Sequence, residues 1–232
     1  MHRSGLRITG SVLSSTPDPI RLSTGALLRV TNPSAAWTVI CLSGGREQEV
    51  PGIWGSSLEW LVGRLAPRFP ALAFAEVRYR IRSWRRLGEC IEDCRAAIEA
   101  TGEGPKLLLG FSMGGAVAIS AAAEAPVTGV LGLAPWIPDR LELSPLRGRR
   151  LDVLHGSLDR GLPGIPGVAP SVSRRGFERA QALGVEGSYT LIPGGVHGLC
   201  VRIGEHRFLE LPRAGTWARL VADRLEAVSG TL

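Results

Sequence analysis

A serine stands between two glycines in Gly110-Phe111-Ser112-Met113-Gly114, and the flanking segments decide what it can do. Leu107, Leu108 and Leu109 precede it. An apolar run without helical spacing predicts a short strand buried on both faces. The alanine-rich run from Ala116 to Ala123 follows and predicts a helix. A sharp strand-to-helix turn holds a serine in a strained backbone conformation and aims its hydroxyl at open space. Glycine two places either side keeps side chains out of the neighbouring strand and helix. The helix N-terminus adds unpaired N–H groups and a positive dipole end, which favour a developing negative oxygen. With 30 glycines in the chain, the pattern could also be a glycine-rich turn carrying an incidental serine. The strand before and helix after favour a nucleophile.

A serine hydroxyl needs a base to take its proton. In an open α/β sheet that base must come from another strand tip. Of the four histidines, His2 is terminal and His206, between Glu205 and Arg207, reads as surface. His155 closes an apolar run and is followed by Gly156, so it reads as a packing residue at a strand tip. His197 sits in Pro193-Gly194-Gly195-Val196-His197-Gly198, after the last strand, and is the candidate base. A carboxylate should orient it. Asp159, in the loop after the 151–154 strand, is preferred to its alternative role as an Asx-turn residue. Asp152 lies within that strand, and Asp139, after the 127–133 strand, is the rival. An oxyanion needs two backbone donors: the N–H of Met113 and one from Gly44 or Gly45.

These tips require an alternating chain to carry them. Residues 5–13 and 20–31 read as two strands joined at Thr16-Pro17-Asp18-Pro19, a hairpin leading into the sheet. From residue 37, strands at 37–42, 71–79, 107–109, 127–133, 151–154 and 188–192 alternate with helices at 58–65, 85–100, 116–123, 171–183 and 214–228. That order implies a mostly parallel sheet, helices on both faces and right-handed crossovers.

The 232 residues fit one domain, 1–232, and 44% apolar content suffices for a sizeable core. The net charge of +6 comes with arginine clusters at 78–86 and 147–150, but with no recognition motif, so solvated surface is expected rather than nucleic acid. Cys41, Cys90, Cys94 and Cys200 lack zinc spacing and read as free thiols of a reducing compartment. Met1 to Pro19 holds no signal-peptide core and no apolar stretch is long enough to span a membrane, so the expected setting is the cytoplasm.

In the order Ser112, Asp159, His197, the chain resembles the α/β-hydrolase fold family over residues 20–228. Ser43-Gly44-Gly45 departs from the His-Gly of many relatives. The resemblance implies an eight-stranded sheet and a nucleophile–acid–base set. The segment from Ala134 to Arg149 is too short for a lid domain. The chain therefore resembles compact esterases and dienelactone-hydrolase-like members, with an open pocket. Trp54, Trp136, Ile137 and Leu162, with Trp84 and Leu199, are candidates for the pocket wall or for ordinary core. Arg46 either attracts an acidic substrate or is solvated. The expected activity is serine-dependent hydrolysis of a small ester or thioester, without cofactor or metal, by a monomer or homodimer. Acyl transfer or peptide cleavage would use the same residues, and a ligand-binding or receptor protein could share the fold.

Overall fold

Leu107, Leu108 and Leu109 do point to two sides: Leu107 and Leu109 pack into one apolar cluster and Leu108 into another. The same split divides Val39 and Cys41 from Ile40 and Leu42. A strand with apolar residues at every position is thus buried on both faces because successive side chains alternate across the sheet.

The structure is a computed structural model that describes residues 7–10, 17–160 and 167–229. In chain order the strands are β1 (Ile8–Gly10), β2 (Ile20–Arg21), β3 (Leu27–Thr31), β4 (Trp37–Leu42), β5 (Leu72–Arg78), β6 (Lys106–Phe111), β7 (Val127–Leu133), β8 (Arg150–Gly156), β9 (Glu186–Ile192), β10 (Cys200–Gly204) and β11 (Arg207–Glu210). The helices are α1 (Ser56–Leu65), α2 (Leu87–Ala100), α3 (Met113–Ser120), α4 (Pro170–Ala182) and α5 (Ala214–Ser229). Eight strands form the main sheet in the order β2-β3-β5-β4-β6-β7-β8-β9. Pairing is parallel from β5 through β4 to β9, and antiparallel for β2 with β3 and β3 with β5. Helices α2, α3 and α4 cover one face; α1 and α5 cover the other. Between β7 and β8 there is only a 3₁₀ turn, Ser144–Leu146, so the domain is lidless.

Two expectations about the sheet change. The expected pairing of the first two strands is not made: Ile8–Gly10 pairs with β11 in a separate three-stranded antiparallel sheet, β1-β11-β10, and residues 5, 6 and 11–16 lie outside the described residues. Residues 20–31 are two strands, because Ser23-Thr24-Gly25 supplies a turn of its own. Gly25 has a φ of 91°, and the Leu22 N–H donates to the Ala26 carbonyl at 2.8 Å. Glycine tolerates that positive φ without penalty, so the chain reverses there. The main sheet therefore has eight strands among the described residues by counting β2 and β3 separately, without Ile8–Gly10.

A buried ionic cluster pins α1 to both sheets. Arg29 on β3 donates to both Glu76 oxygens (2.8 Å each) and to Glu59 on α1 (2.8 Å). Arg202 on β10 donates twice to Glu59, at 3.0 and 2.9 Å. This cluster fixes the start of α1, which borders the site described next.

Candidate active site

Strand β6 ends at Phe111 and α3 begins at Met113, so the reversal rests on Ser112, at φ 55° and ψ −119°. Such a conformation costs a non-glycine residue on the order of 1–3 kcal/mol. Backbone hydrogen bonds hold it from both sides. The Ser112 N–H donates to Leu133 O at 3.0 Å, and its carbonyl accepts from Trp136 N–H and Gly115 N–H, each at 2.9 Å. A Cβ on Gly110 would overlap the Gly114 carbonyl, and one on Gly114 would overlap the carbonyl oxygens of Leu42 and Ser43. The helix starts three residues earlier than its alanine run suggests, because the small residues Gly114 and Gly115 let it pack directly on β4 and Pro135.

The carboxyl ends of three parallel strands bring the predicted side chains together. His197, beyond β9, places Nε2 3.1 Å from Ser112 Oγ and Nδ1 2.6 Å from Asp159 Oδ2. Asp159, beyond β8, is fully buried, and His197 is 4% exposed. The Asp159 carboxylate can only accept, so Nδ1 carries the proton and Nε2 is free to accept from the serine. Phe111 packs its ring 5.0 Å from the imidazole. Burial alone would push the Asp159 carboxyl up; hydrogen bonds from His155 and His197 outweigh it and hold the group below its ordinary value.

His155 is therefore more than the packing residue its position suggested. Its Nε2 lies 3.1 Å from Asp159 Oδ2 and 2.9 Å from the Val168 carbonyl. Both are acceptors, so Nε2 bears the hydrogen. Nδ1 then accepts from Ser173 Oγ at 2.6 Å, and Ser173 lies 3.0 Å from the Tyr189 hydroxyl. The second Asp159 oxygen accepts from the Val168 N–H at 3.1 Å. One carboxylate thus sits between two imidazoles, each with its own serine. The serines differ in access: Ser173 is fully buried in α4, whereas Ser112 lines an open cleft. The one available cue in the sequence is the four-residue spacing from His155 to Asp159 across a glycine strand tip.

The rival acids lie elsewhere. Asp139 is exposed and faces Arg175 at 3.8 Å; Asp152 is bound to Arg150 and Ser188 within the sheet. His206 is an exposed neighbour of Glu59, and His2 lies outside the described residues. Gly44 sits against Ser112, where a Cβ would come within 3.2 Å of the serine Cβ, and Gly45 lies under the Met113 side chain.

The cleft beside Ser112 encloses about 350 Å³. Its wall differs from the expected one. Trp54 stacks on Arg29 with the guanidinium 4.4 Å from the ring, as part of the ionic cluster. Ile137 is fully buried against Gly176 and Trp136 packs on the same core, so none of these three lines the cleft. Trp84 packs on that core too, Leu199 is buried in the other, and Leu162 lies outside the described residues. Instead Ile53, Phe111, Val201 and Leu211 form the apolar wall, with Arg46, Arg82 and Arg202 among the polar lining. The β10–β11 hairpin that supplies Val201 and Arg202 carries no strong turn signal, and sequence reasoning misses it. Among the described residues no group of three or more His, Cys, Asp and Glu could hold a metal ion, and no helix is long and apolar enough to cross a membrane.

The sequence profile described as the Alpha/beta hydrolase family matches residues 50–229, most of the chain and all three of these strand tips. The chain belongs to the alpha/beta hydrolase family. Solved structures of similar fold include an alpha-beta serine hydrolase homologue from Coxiella burnetii, with TM-score 0.66, 15% identity, and coverage of 92% of this chain and 98% of the other. A predicted CIB-like hydrolase from Thermoplasma acidophilum gives TM-score 0.63 at 15% identity, covering 96% and 100%. The thermophilic esterase Est2 of the Planctomycetes species Thermogutta terrifontis, with butyrate bound, gives 0.62 at 15%, covering 94% and 95%. No curated protein sequence matches the chain. As an alpha/beta hydrolase, the chain is a hydrolase, and its likeness to these structures is one of fold.

Proposed function

We propose that this hydrolase cleaves a small carboxylic ester or thioester through an acyl-enzyme on Ser112. The observation that carries the reading is the continuous hydrogen-bond line from Ser112 Oγ through His197 to Asp159, opening at its serine end into the cleft.

Ser112 Oγ attacks the carbonyl carbon while its proton passes to His197 Nε2. The resulting imidazolium is stabilised by Asp159, which keeps the ring in the required tautomer. The oxyanion is met by the Met113 N–H at the start of α3 and by a donor from Gly44 or Gly45. Each such donor contributes roughly 2.7–4 kcal/mol. Collapse expels the alcohol or thiol, which leaves with the proton from Nε2. Water then gives a proton to His197, its oxygen attacks the acyl carbon, and the acid departs as Ser112 recovers its hydrogen. A cleft of about 350 Å³ suits a short acyl or alcohol group. The four buried thiols support a cytoplasmic setting.

The test is turnover of a panel of short esters and thioesters, together with labelling by a fluorophosphonate and peptide mapping. Ser112 should carry the label, and Ser112→Ala should abolish both labelling and turnover while keeping the circular dichroism spectrum. A wild-type protein that neither labels at Ser112 nor turns over any ester would exclude the mechanism and leave a binding role.

A further inference from the structure

Four features meet in the cleft beside Ser112, and none is needed to break a bond. Arg46 and Arg82 both line it. Their backbones are paired: the Arg46 N–H donates to the Arg82 carbonyl at 3.3 Å. Among the described residues, neither guanidinium has a carboxylate partner, although every other arginine of the 78–86 cluster is engaged. Arg78 donates to Gly52 O, Arg80 binds Asp93 and Glu92, Arg85 binds Glu47, and Arg86 binds Glu49 and Glu89. The third cleft arginine, Arg202, is already neutralised by Glu59. Arg82 Nε is buried without a hydrogen-bond partner. Burial first, and then the like charge of Arg46, push its guanidinium down from its ordinary value, so the pair has like charge without compensation.

The start of α1, in the same lining, points the same way. Helix α1 starts at the cleft with Gly55 as its N-cap and no side-chain cap. Its first turn presents N–H groups without a side-chain cap and the positive dipole end, and the one acid of that turn, Glu59, is taken up by Arg29 and Arg202. The hydroxyl of Ser57, in the first turn, accepts from the Leu199 N–H at 3.1 Å. Ser43, only 3% exposed and also in the cleft wall, has a buried hydroxyl with no partner. A buried hydroxyl and a guanidinium nitrogen left without partners are costly, so a ligand that satisfies them is favoured.

We propose that Arg82, Arg46, Ser43 and the α1 N-terminus form an anion subsite, so that the preferred substrate is an ester bearing a carboxylate remote from its scissile carbonyl. A carboxylate there neutralises two like charges and fills the guanidinium's planar donor fork. Arg82, half-buried, is the anchor; Arg46, exposed, adds attraction that salt screens. This inference rests on Ser112 being the nucleophile.

The experiment compares monomethyl adipate with methyl hexanoate, a matched anionic and neutral pair, by pH-stat. The readout is the ratio of their kcat/KM values, which divides out any loss of folded protein. Wild type should favour the anionic ester by about 10- to 100-fold. Most of that preference should lie in KM. Arg82→Gln should reduce the ratio to near one, Arg46→Gln should lower it partway, and 0.5 M salt should act more on the Arg46 share. A wild-type ratio at or below one, or a ratio that Arg82→Gln leaves in place, overturns the subsite while Ser112 labelling keeps the hydrolase reading. Calorimetric binding of monomethyl adipate to Ser112→Ala protein reads the subsite without turnover. There Arg82→Gln should weaken binding at least tenfold, and equal affinity in the two backgrounds overturns the proposal even if no ester is hydrolysed.

Discussion

His155 Nε2 and Asp159 Oδ2 stand 3.1 Å apart, and the same oxygen receives His197 Nδ1 at 2.6 Å. Asp159 is thus held in place by a buried imidazole behind it, which is itself oriented by Ser173. Holding the carboxylate still is what keeps His197 aimed at Ser112.

Removing that support should affect kcat more than KM. His155→Leu takes away one donor to Asp159 and leaves His197 and the Val168 N–H, so kcat should fall by about 10²-fold, the size of effect a small misplacement gives. KM should move little, because His155 does not line the cleft. His155→Gln, which can still donate to the carboxylate, should recover part of the loss. Equal kcat losses in Leu and Gln variants would make the effect one of packing alone. Losing one of three donors should also raise the Asp159 carboxyl. A carboxyl held low in the folded state contributes stability above its unfolded value and loses it as pH falls through the folded one. The acid-unfolding midpoint of His155→Leu should therefore shift to higher pH.

Asp159→Asn tests the tautomer argument. The amide can donate to His197 Nδ1, which would move the ring proton to Nε2 and leave no acceptor for the serine. A fall of about 10⁴-fold in kcat is expected, with substrate binding retained. Ser173→Ala is the companion variant. It breaks the 2.6 Å bond to His155, yet fluorophosphonate should still label Ser112. A label that follows Ser173 instead would reverse the assignment of the two serines.

The chemistry is legible in the sequence where local sterics dictate it. Gly110 and Gly114 declare a strand-to-helix reversal because a Cβ on the first would overlap the backbone of α3 and one on the second the end of β4. The alternating strands follow from apolar runs that must bury two faces. What stays hidden depends on contacts between segments far apart in the chain. The role of His155 depends on Ser173, 18 residues on, and that of Arg82 on the pairing of its segment with residue 46. Trp54 resembles a pocket wall because aromatic residues in loops often are; its partner, Arg29, lies on a strand whose charge gives no hint of burial. Ser23-Thr24-Gly25 is a turn signal inside the segment that reads as one strand, and the chain reverses there between β2 and β3.

Two glycines should respond in opposite directions. Gly114→Ala places a methyl group into the carbonyls of Leu42 and Ser43, which are backbone and cannot swing away. It should cost about 1–3 kcal/mol and displace the chain at Leu42 and Ser43, lowering kcat as well. Gly88, on α2, has open space where a methyl group would go, with nothing within 4 Å, and Gly88→Ala should gain about 0.5–1 kcal/mol from helix propensity. Urea denaturation of both variants checks the pair. A Gly114→Ala protein as stable as wild type would mean that the elbow has slack.

The ionic cluster makes an acid-stability prediction whose sign can be worked out. Burial raises the Glu59 carboxyl, but hydrogen bonds from Arg202 and Arg29 outweigh it and bring the group from 4.5 to about 2. A carboxyl depressed on folding contributes stability that is complete above its unfolded value, and this is lost as pH falls from about 4.5 toward 2. Glu76 runs the other way: burial dominates and leaves its carboxyl raised, so its protonation on acidification favours the fold. The acid sensitivity of the cluster therefore lies with Glu59. Glu59→Gln should be destabilised at pH 7 by about 3 kcal/mol, since two guanidiniums lose a charged partner. Between pH 4.5 and 2, its unfolding free energy should change less steeply than that of wild type. Because Arg202 lines the cleft, freeing it should also add a third uncompensated cation there, and Glu59→Gln should bind monomethyl adipate more tightly relative to methyl hexanoate. Parallel pH–stability slopes in the two proteins would move the acid-labile group elsewhere, with Asp159 the next candidate.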